Sequence, residues 1–155
     1  MDSLIKRVKE LLAKGSIDLF IGYEKGTRVP RPLFASTAEE ADKLIFDETC
    51  TGNLAVYLTR KDLTLGKKVG IAASYYALKS ITQLYDENQI KEDSLTVFGL
   101  VDNALKQFES INDIKEYLKG AVPPAKPSDD ELVKQIDAMT MEERWTFWSN
   151  ELSKC

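Results

Sequence analysis

Residues 67–100 read KKVGIAASYYALKSITQLYDENQIKEDSLTVFGL. The first eight residues, 67–74, give a basic entry followed by Val69, Ile71 and small side chains, a pattern that predicts a buried strand. From Tyr75 onward, Leu78, Ile81, Leu84 and Tyr85 recur at helical spacing. Residues 94–100, SLTVFGL, return to a short apolar run rich in strand formers. Strand, helix and strand in succession make a βαβ unit, whose crossover should be right-handed. The fold class that follows is α/β: a small, mainly parallel sheet with flanking helices and a C-terminal helical extension.

Upstream, Leu4, Ile5, Val8, Leu11 and Leu12 fall on one helical face, with Asp2 and Ser3 available as caps and Gly15 as a stop. Residues 17–23, IDLFIGY, predict a second buried strand, parallel to the others. The charged, glycine- and proline-bearing EKGTRVPRP is a loop, and residues 32–36 suit an edge strand, where proline is tolerated. Ser36 and Thr37, with Glu39 and Glu40 behind them, open a capped helix. DETCTGN forms a turn before a short helix over 54–58. After Gly99 the periodicity weakens until INDIKEYLKG, a short helix ended by glycine. Residues 121–130 contain three prolines and read as a linker or surface loop. Ser128 to Glu131 offer a capping box for a helix over 132–139, and Thr140 to Glu143 repeat the pattern for a helix over 144–152. The organisation expected is an α/β domain over 1–120, the proline loop over 121–130 and a helical segment over 131–155.

The composition narrows the chemistry. The chain has 155 residues, 21 Lys and Arg against 25 Asp and Glu, and a formal charge of −4. Such a balance argues against a nucleic-acid binder, which would show a basic stripe. No run of 18 apolar residues exists, so no membrane span is expected, and the amphipathic start lacks the apolar stretch of a secretory signal. The cytoplasm is the compartment expected. Histidine is absent, which removes Ser-His-Asp triads, Cys-His dyads and His-ligated zinc. Two cysteines, Cys50 and Cys155, fall short of the four thiolates that an iron–sulfur cluster normally takes. No convergent acid–base constellation stands out, and the paired carboxylates sit at helix starts, where the helix dipole accounts for them. Catalysis by side chains of this chain alone is therefore not expected.

Four features could still carry function. Ser74, Tyr75 and Tyr76 lie where strand meets helix, the place where parallel sheets receive ligands, and the helix N-terminus there would face an anion or a flavin phosphate. Ordinary strand–helix packing explains the same residues equally well. GYEKG, residues 22–26, is a weak phosphate-loop candidate or a plain surface loop. Cys50, before a helix, is either a thiol of lowered pKa or, the better reading, a small half-buried residue. Arg144, Trp145, Phe147 and Trp148 form an aromatic cluster that favours packing on a core over service as a docking surface. Exposed tryptophans would reverse that preference.

The order IDLFIGYEKGT, RPLFAS, EADKLIFDETCTGNLAVYL, KKVGIAAS, LKSITQLYDENQIKEDSLTVFGL and EERWTFWSNELSKC resembles the N-terminal region of the coenzyme F-420 (deazaflavin) hydrogenase/dehydrogenase beta-subunit family and related 4Fe-4S electron-transfer proteins of anaerobes. It runs from about Ile17 to the end, and the last segment is its most specific part. The resemblance implies a domain of a cytoplasmic iron–sulfur/flavin electron-transfer protein, an oxidoreductase subunit that is not catalytic alone. It implies a redox partner such as a hydrogenase, formate dehydrogenase or heterodisulfide-reductase-like subunit. The turn over 74–80, with Ser74, Tyr75 and Tyr76, would line the site of such a flavin, with Lys79 near its phosphate or edge. The resemblance also assigns Cys50 and Cys155 as cluster ligands if a longer chain or a partner completes the set, Cys155 standing at the first ferredoxin cysteine. The chain departs from the pattern at residues 73–80, at 99–102 and in the proline loop, where family thiols are replaced or absent. The alternative is a cluster-free interaction or regulatory domain on the same fold.

Overall fold

The computed structural model describes residues 2–27, 29–101, 104–123 and 127–153, with backbone alone at residue 2 and residues 127–132. The chain divides into two compact units, Met1–Pro123 and Pro124–Cys155.

The first unit is α/β. Its sheet contains β1 (Leu19–Glu24), β2 (Arg31–Ala35), β3 (Leu44–Ile45), β4 (Val69–Ala73), β5 (Leu95–Val101) and β6 (Ala104–Phe108), in the order β2-β1-β4-β5-β6 with β3 also on β1. The three central strands, β1, β4 and β5, are parallel, as expected. Antiparallel partners border them: β2 and β3 on β1, and β6 on β5. The run Val69–Ala73 is buried throughout, as a strand covered on both faces must be. Helix α4 (Tyr75–Asp86) connects β4 to β5 and completes the expected βαβ unit.

Register decides which helix lies where. Phe20 pairs with Gly70, and Ala72 with Phe98, so Phe20, Gly70 and Phe98 share one face. Helix α1 (Asp2–Ala13) serves that face, where its Arg7 Nε donates to Gln107 Oε1 at 3.3 Å. On the other face, Leu78 of α4 packs toward Gly99, and Tyr117 of α5 (Ile111–Gly120) meets Phe108 with ring centroids 5.6 Å apart. A side chain at Gly70 would run into the Phe20 ring and Ile17. Glycine there lets Phe20 lie across the β1–β4 pair and reach Phe98, its centroid 5.9 Å away.

Several local elements follow from caps. Helix α2 (Ala38–Ala41) starts on the expected Thr37–Glu40 capping box. The short helix expected over 54–58 is a 3-10 turn, Leu54–Tyr57, and Asn53 caps it by accepting from the Ala55 amide at 3.2 Å. One more turn, α3 (Lys61–Thr64), was not foreseen. Strand β6 was also missed: it is half-exposed, and its alternation is too shallow to mark a strand. Val101 pairs with Ala104, so β5 and β6 are antiparallel neighbours.

The second unit holds α6 (Pro127–Ala138) and α7 (Met141–Leu152). Helix α6 begins inside the expected proline loop, because a proline fits the first helical position, where its missing N–H costs no bond. The Ser128 capping-box expectation falls on side chains outside the described residues. Helix α7 opens on the expected Thr140–Glu143 box, its two reciprocal bonds 2.7 and 3.3 Å long.

Packing at Gly70 makes a direct test. Gly70→Ala should lower stability by about 1–3 kcal/mol through overpacking against Phe20. Gly120→Ala, which meets open space at the end of α5, should leave it unchanged or raise it by up to about 1 kcal/mol. Urea denaturation of the two variants should separate them in this order.

Candidate functional site

The site begins with a splay between two parallel strands. β1 pairs with β4 at Leu19, Phe20 and Ile21, and with β3 at Tyr23 and Glu24. β2 already occupies one edge of β1 over Phe20–Glu24. Strand β3 must therefore take the edge that β4 leaves after Ile21. Gly22 permits this, because a side chain there would strike Leu44 of β3. Beyond Ile21, β1 and β4 part, and the gap at their C-terminal ends fills with the segment that follows β3.

Tyr23 holds that segment. Its ring is buried and stacks on Phe46 at 6.0 Å, and its hydroxyl donates to the Gly52 carbonyl. Asn53 Nδ2 then donates to Ser80 Oγ on α4 at 2.9 Å. Within the turn, Asp47 Oδ1 accepts from the Thr49 amide at 2.9 Å and the Thr49 hydroxyl at 2.5 Å. Cys50 is only 3% exposed, with its Sγ 3.9 Å from both the Ile45 carbonyl and Asp47 Oδ1. Leu54 and Ala55, behind it, are buried as well.

Tyr23 and Cys50 are both held toward their protonated forms. Burial pushes the Tyr23 phenol up to about 12, opposed in part by the Ser74 hydroxyl. Burial likewise pushes the Cys50 thiol up to about 11. A thiolate is the nucleophile and the metal ligand, so a thiol held this way is poised for neither role. The reading of Cys50 as a small enclosed residue fits these facts. Cys155 lies outside the described residues. Among those residues, no group of three or more His, Cys, Asp or Glu side chains could hold a metal ion. The single described thiol does not match the four soft ligands that a 4Fe-4S cluster needs.

The strand–helix corner has two layers. Ala72, Ala73 and Ala77 are fully buried and form the inner layer. Ser74 caps α4, its Oγ accepting from the Ala77 amide at 3.4 Å. Outside this inner layer, Tyr75 is half-buried, while Tyr76 and Lys79 are exposed. The two tyrosine rings meet edge to face at 5.3 Å, and Lys79 Nζ lies 5.9 Å from the Tyr75 centroid. Lys79 makes no ion pair with a described residue. The four residues singled out from sequence therefore form one cap and one outward rim. Aromatic faces and an unpaired cation suit a planar anionic group such as a flavin, which would supply electron transfer that the side chains lack.

Two other sequence candidates resolve differently. Gly22 lies within β1, so GYEKG is no phosphate cradle. Glu24 at its end already pairs with Arg31 at 2.8 Å and adds a carboxylate where an anion would sit. The tryptophans were expected to pack, but Trp145 is 69% and Trp148 48% exposed. The half-buried face of α7 belongs instead to Arg144, Phe147 and Glu151, three residues at i, i+3, i+7 spacing. Met141 and Leu152, about 70% exposed, extend the tryptophans into one stripe at i, i+4, i+7, i+11. Among the described residues no helix is long and apolar enough to cross a membrane.

No family model and no curated protein matches this chain. A distant neighbour among solved structures is a chain of the xenon-derivatised F420-reducing [NiFe] hydrogenase complex from Methanosarcina barkeri. The two are 20% identical, with a TM-score of 0.47 over 62% of this chain and 35% of that one. This chain thus spans about a third of that neighbour, and a likeness so remote bears on neither activity nor partners.

The protonated plug sets an alkaline limit on stability. Tyr23 and Cys50 bind their protons more tightly folded than unfolded, so their contribution is whole below about pH 9. It should fall as pH rises through about 11 for Cys50 and about 12 for Tyr23. Tyr23→Phe should cost about 1 kcal/mol at neutral pH through the lost Gly52 bond. The gap between wild type and variant should close toward pH 12 in urea titrations. A gap that stays constant across that range would contradict the assignment.

Proposed function

We propose that this chain is a scaffold and docking domain of a cytoplasmic electron-transfer complex, working beside a redox centre and not as a catalyst in its own right. The exposed stripe Met141, Trp145, Trp148 and Leu152 carries this reading, because four large apolar residues in line on one helix are what a protein partner covers. Three of its residues, Trp145, Trp148 and Leu152, also fall in EERWTFWSNELSKC, the segment where resemblance to the electron-transfer family is most specific. That resemblance supplies the redox setting and the kind of partner, a hydrogenase-, formate dehydrogenase- or heterodisulfide-reductase-like subunit. The buried, protonated Cys50 supports a domain without a cluster of its own. The cofactor proposed for the Ser74–Lys79 corner is a flavin, contacted by Tyr76 and Lys79 and shared with whatever docks there.

A second reading, a regulatory interaction domain with no redox setting, draws on the same stripe and on the missing thiols. A flavin-binding measurement separates the two. Purified anaerobically, the chain should show no absorbance from a thiolate-ligated cluster, and iron and sulfide assays should be blank. Added flavin mononucleotide should lose fluorescence on binding, and Lys79→Ala should weaken that binding by about 5-fold, the worth of one exposed cation. Stoichiometric iron and sulfide would overturn the scaffold reading. Unchanged flavin fluorescence would favour the regulatory one.

A further inference from the structure

At the opposite end of the parallel strands from the Tyr23 plug, the N-terminal ends of β4 and β5 open into a groove of about 850 Å³. That size falls within the range of about 300–1,000 Å³ usual for small-molecule sites. Apolar side chains line part of it: Val69 is buried, Ile90 is half-buried, and Leu65 stands exposed on the rim. Lys61, Lys67, Lys68 and Lys91 surround it, and Asp93 is the one acidic lining residue among the described residues. The groove thus carries +3 in a chain whose total is −4. The acidic residues next to these segments face other partners. Asp62 pairs with Arg60 at 2.6 Å, and Glu92 accepts from the Ile111 amide at 2.7 Å. Glu87 accepts from the side-chain amides of Gln83 and Gln89, and Asp18 from the Lys68 backbone amide at 2.8 Å.

The C-terminal end of α4 adjoins the groove, and open carbonyls there would repel an anion. They are closed instead. The Asn88 amide donates to the Tyr85 carbonyl at 2.9 Å, and the Gln89 amide to that of Leu84 at 2.8 Å. Asn88 takes the left-handed conformation that this closure needs, with φ 56°, and lines the groove. Its side-chain amide makes no hydrogen bond with a described residue and is left to a ligand. All four lining cations are lysines. Arginine grips a carboxylate through two parallel bonds, whereas lysine acts as a point charge of the kind that binds phosphate. We infer that the groove binds a nucleoside di- or triphosphate, with its phosphates among the lysines and its base against Leu65 and Ile90. This site is separate from the flavin rim and does not depend on that reading.

Calorimetric titration of the intact chain with adenosine triphosphate tests it. Binding should weaken several-fold as salt rises from about 0.05 M to about 0.2 M. Lys67→Ala with Lys68→Ala should weaken it by about 10-fold. Lys25→Ala with Lys43→Ala removes the same charge at the far end of β1, where Leu44 pairs with Glu24, and should change it by less than about 2-fold. Asn88→Gly keeps the left-handed turn and should weaken binding by about 3-fold through the lost amide. Leu65→Ser should weaken adenosine triphosphate by about 3-fold and leave inorganic tripolyphosphate unchanged. All of these positions are exposed, and circular dichroism checks that each variant folds. Absence of binding at millimolar adenosine triphosphate would overturn the proposal. Equal losses from the two lysine pairs would do the same, by showing general attraction to a charged surface. Tripolyphosphate bound as tightly as adenosine triphosphate would overturn the nucleoside assignment in favour of a bare anion site. A short polyglutamate peptide bound more tightly than either would overturn it in favour of an acidic protein segment.

Discussion

The close approach of the Phe20 ring to Gly70 governs the first unit. A parallel pair buried on both faces normally brings two branched side chains together at each register position. Here one of the two is absent, and the ring occupies the space. That places Phe20 against Phe98 two strands away and binds β1, β4 and β5 into one slab. Gly22, on the same face two residues later, repeats the device and admits Leu44 of β3. The two glycines therefore do different jobs: one joins β1 to β4, and the other lets β3 come in where they separate.

What happens at that separation decides what the domain can do. Parallel sheets bind ligands in a crevice at the carboxyl ends of strands where the strand order reverses. In this sheet β1, β4 and β5 advance in one direction, and the β1–β4 end is filled by the Tyr23-anchored segment. The polar groups there are engaged in holding the plug: a buried phenol on a carbonyl, an exposed amide on a hydroxyl, a buried thiol over a turn. On the function proposed above, the cofactor would meet the outer rim at Tyr76 and Lys79, and other proteins would meet α7.

The α/β class was legible because its signals are local and strong. The buried run at Val69–Ala73, the amphipathic α4 and the capping boxes at Thr37 and Thr140 each follow from a few neighbouring residues. Strand β6 was not legible, because an edge strand with solvent on part of each face shows little alternation. The plug was invisible for another reason. Tyr23, Gly52, Asn53 and Ser80 are scattered over nearly sixty residues of chain, and nothing in any one of them announces the others. The tryptophans were misjudged because two aromatics near each other suggest a core, while the spacing within α7 gives Phe147 and Arg144 the inner face. At the strand–helix corner, the division of Ser74, Tyr75, Tyr76 and Lys79 into a half-buried cap and an outward rim depends on the fold.

On the proposed function, the rim outside a closed strand end, and not the strand end itself, would meet the cofactor. Backbone amide shifts in a nitrogen–proton correlation spectrum, recorded during titration with flavin mononucleotide, test it residue by residue. The account predicts shifts at Tyr75, Tyr76 and Lys79 with the amides of Gly52 and residues 70–73 unmoved. Shifts concentrated at Gly52 and residues 70–73 would show that the plug opens to admit the ligand, and shifts confined to residues 58–69 and 88–95 would place it elsewhere; either would contradict the account.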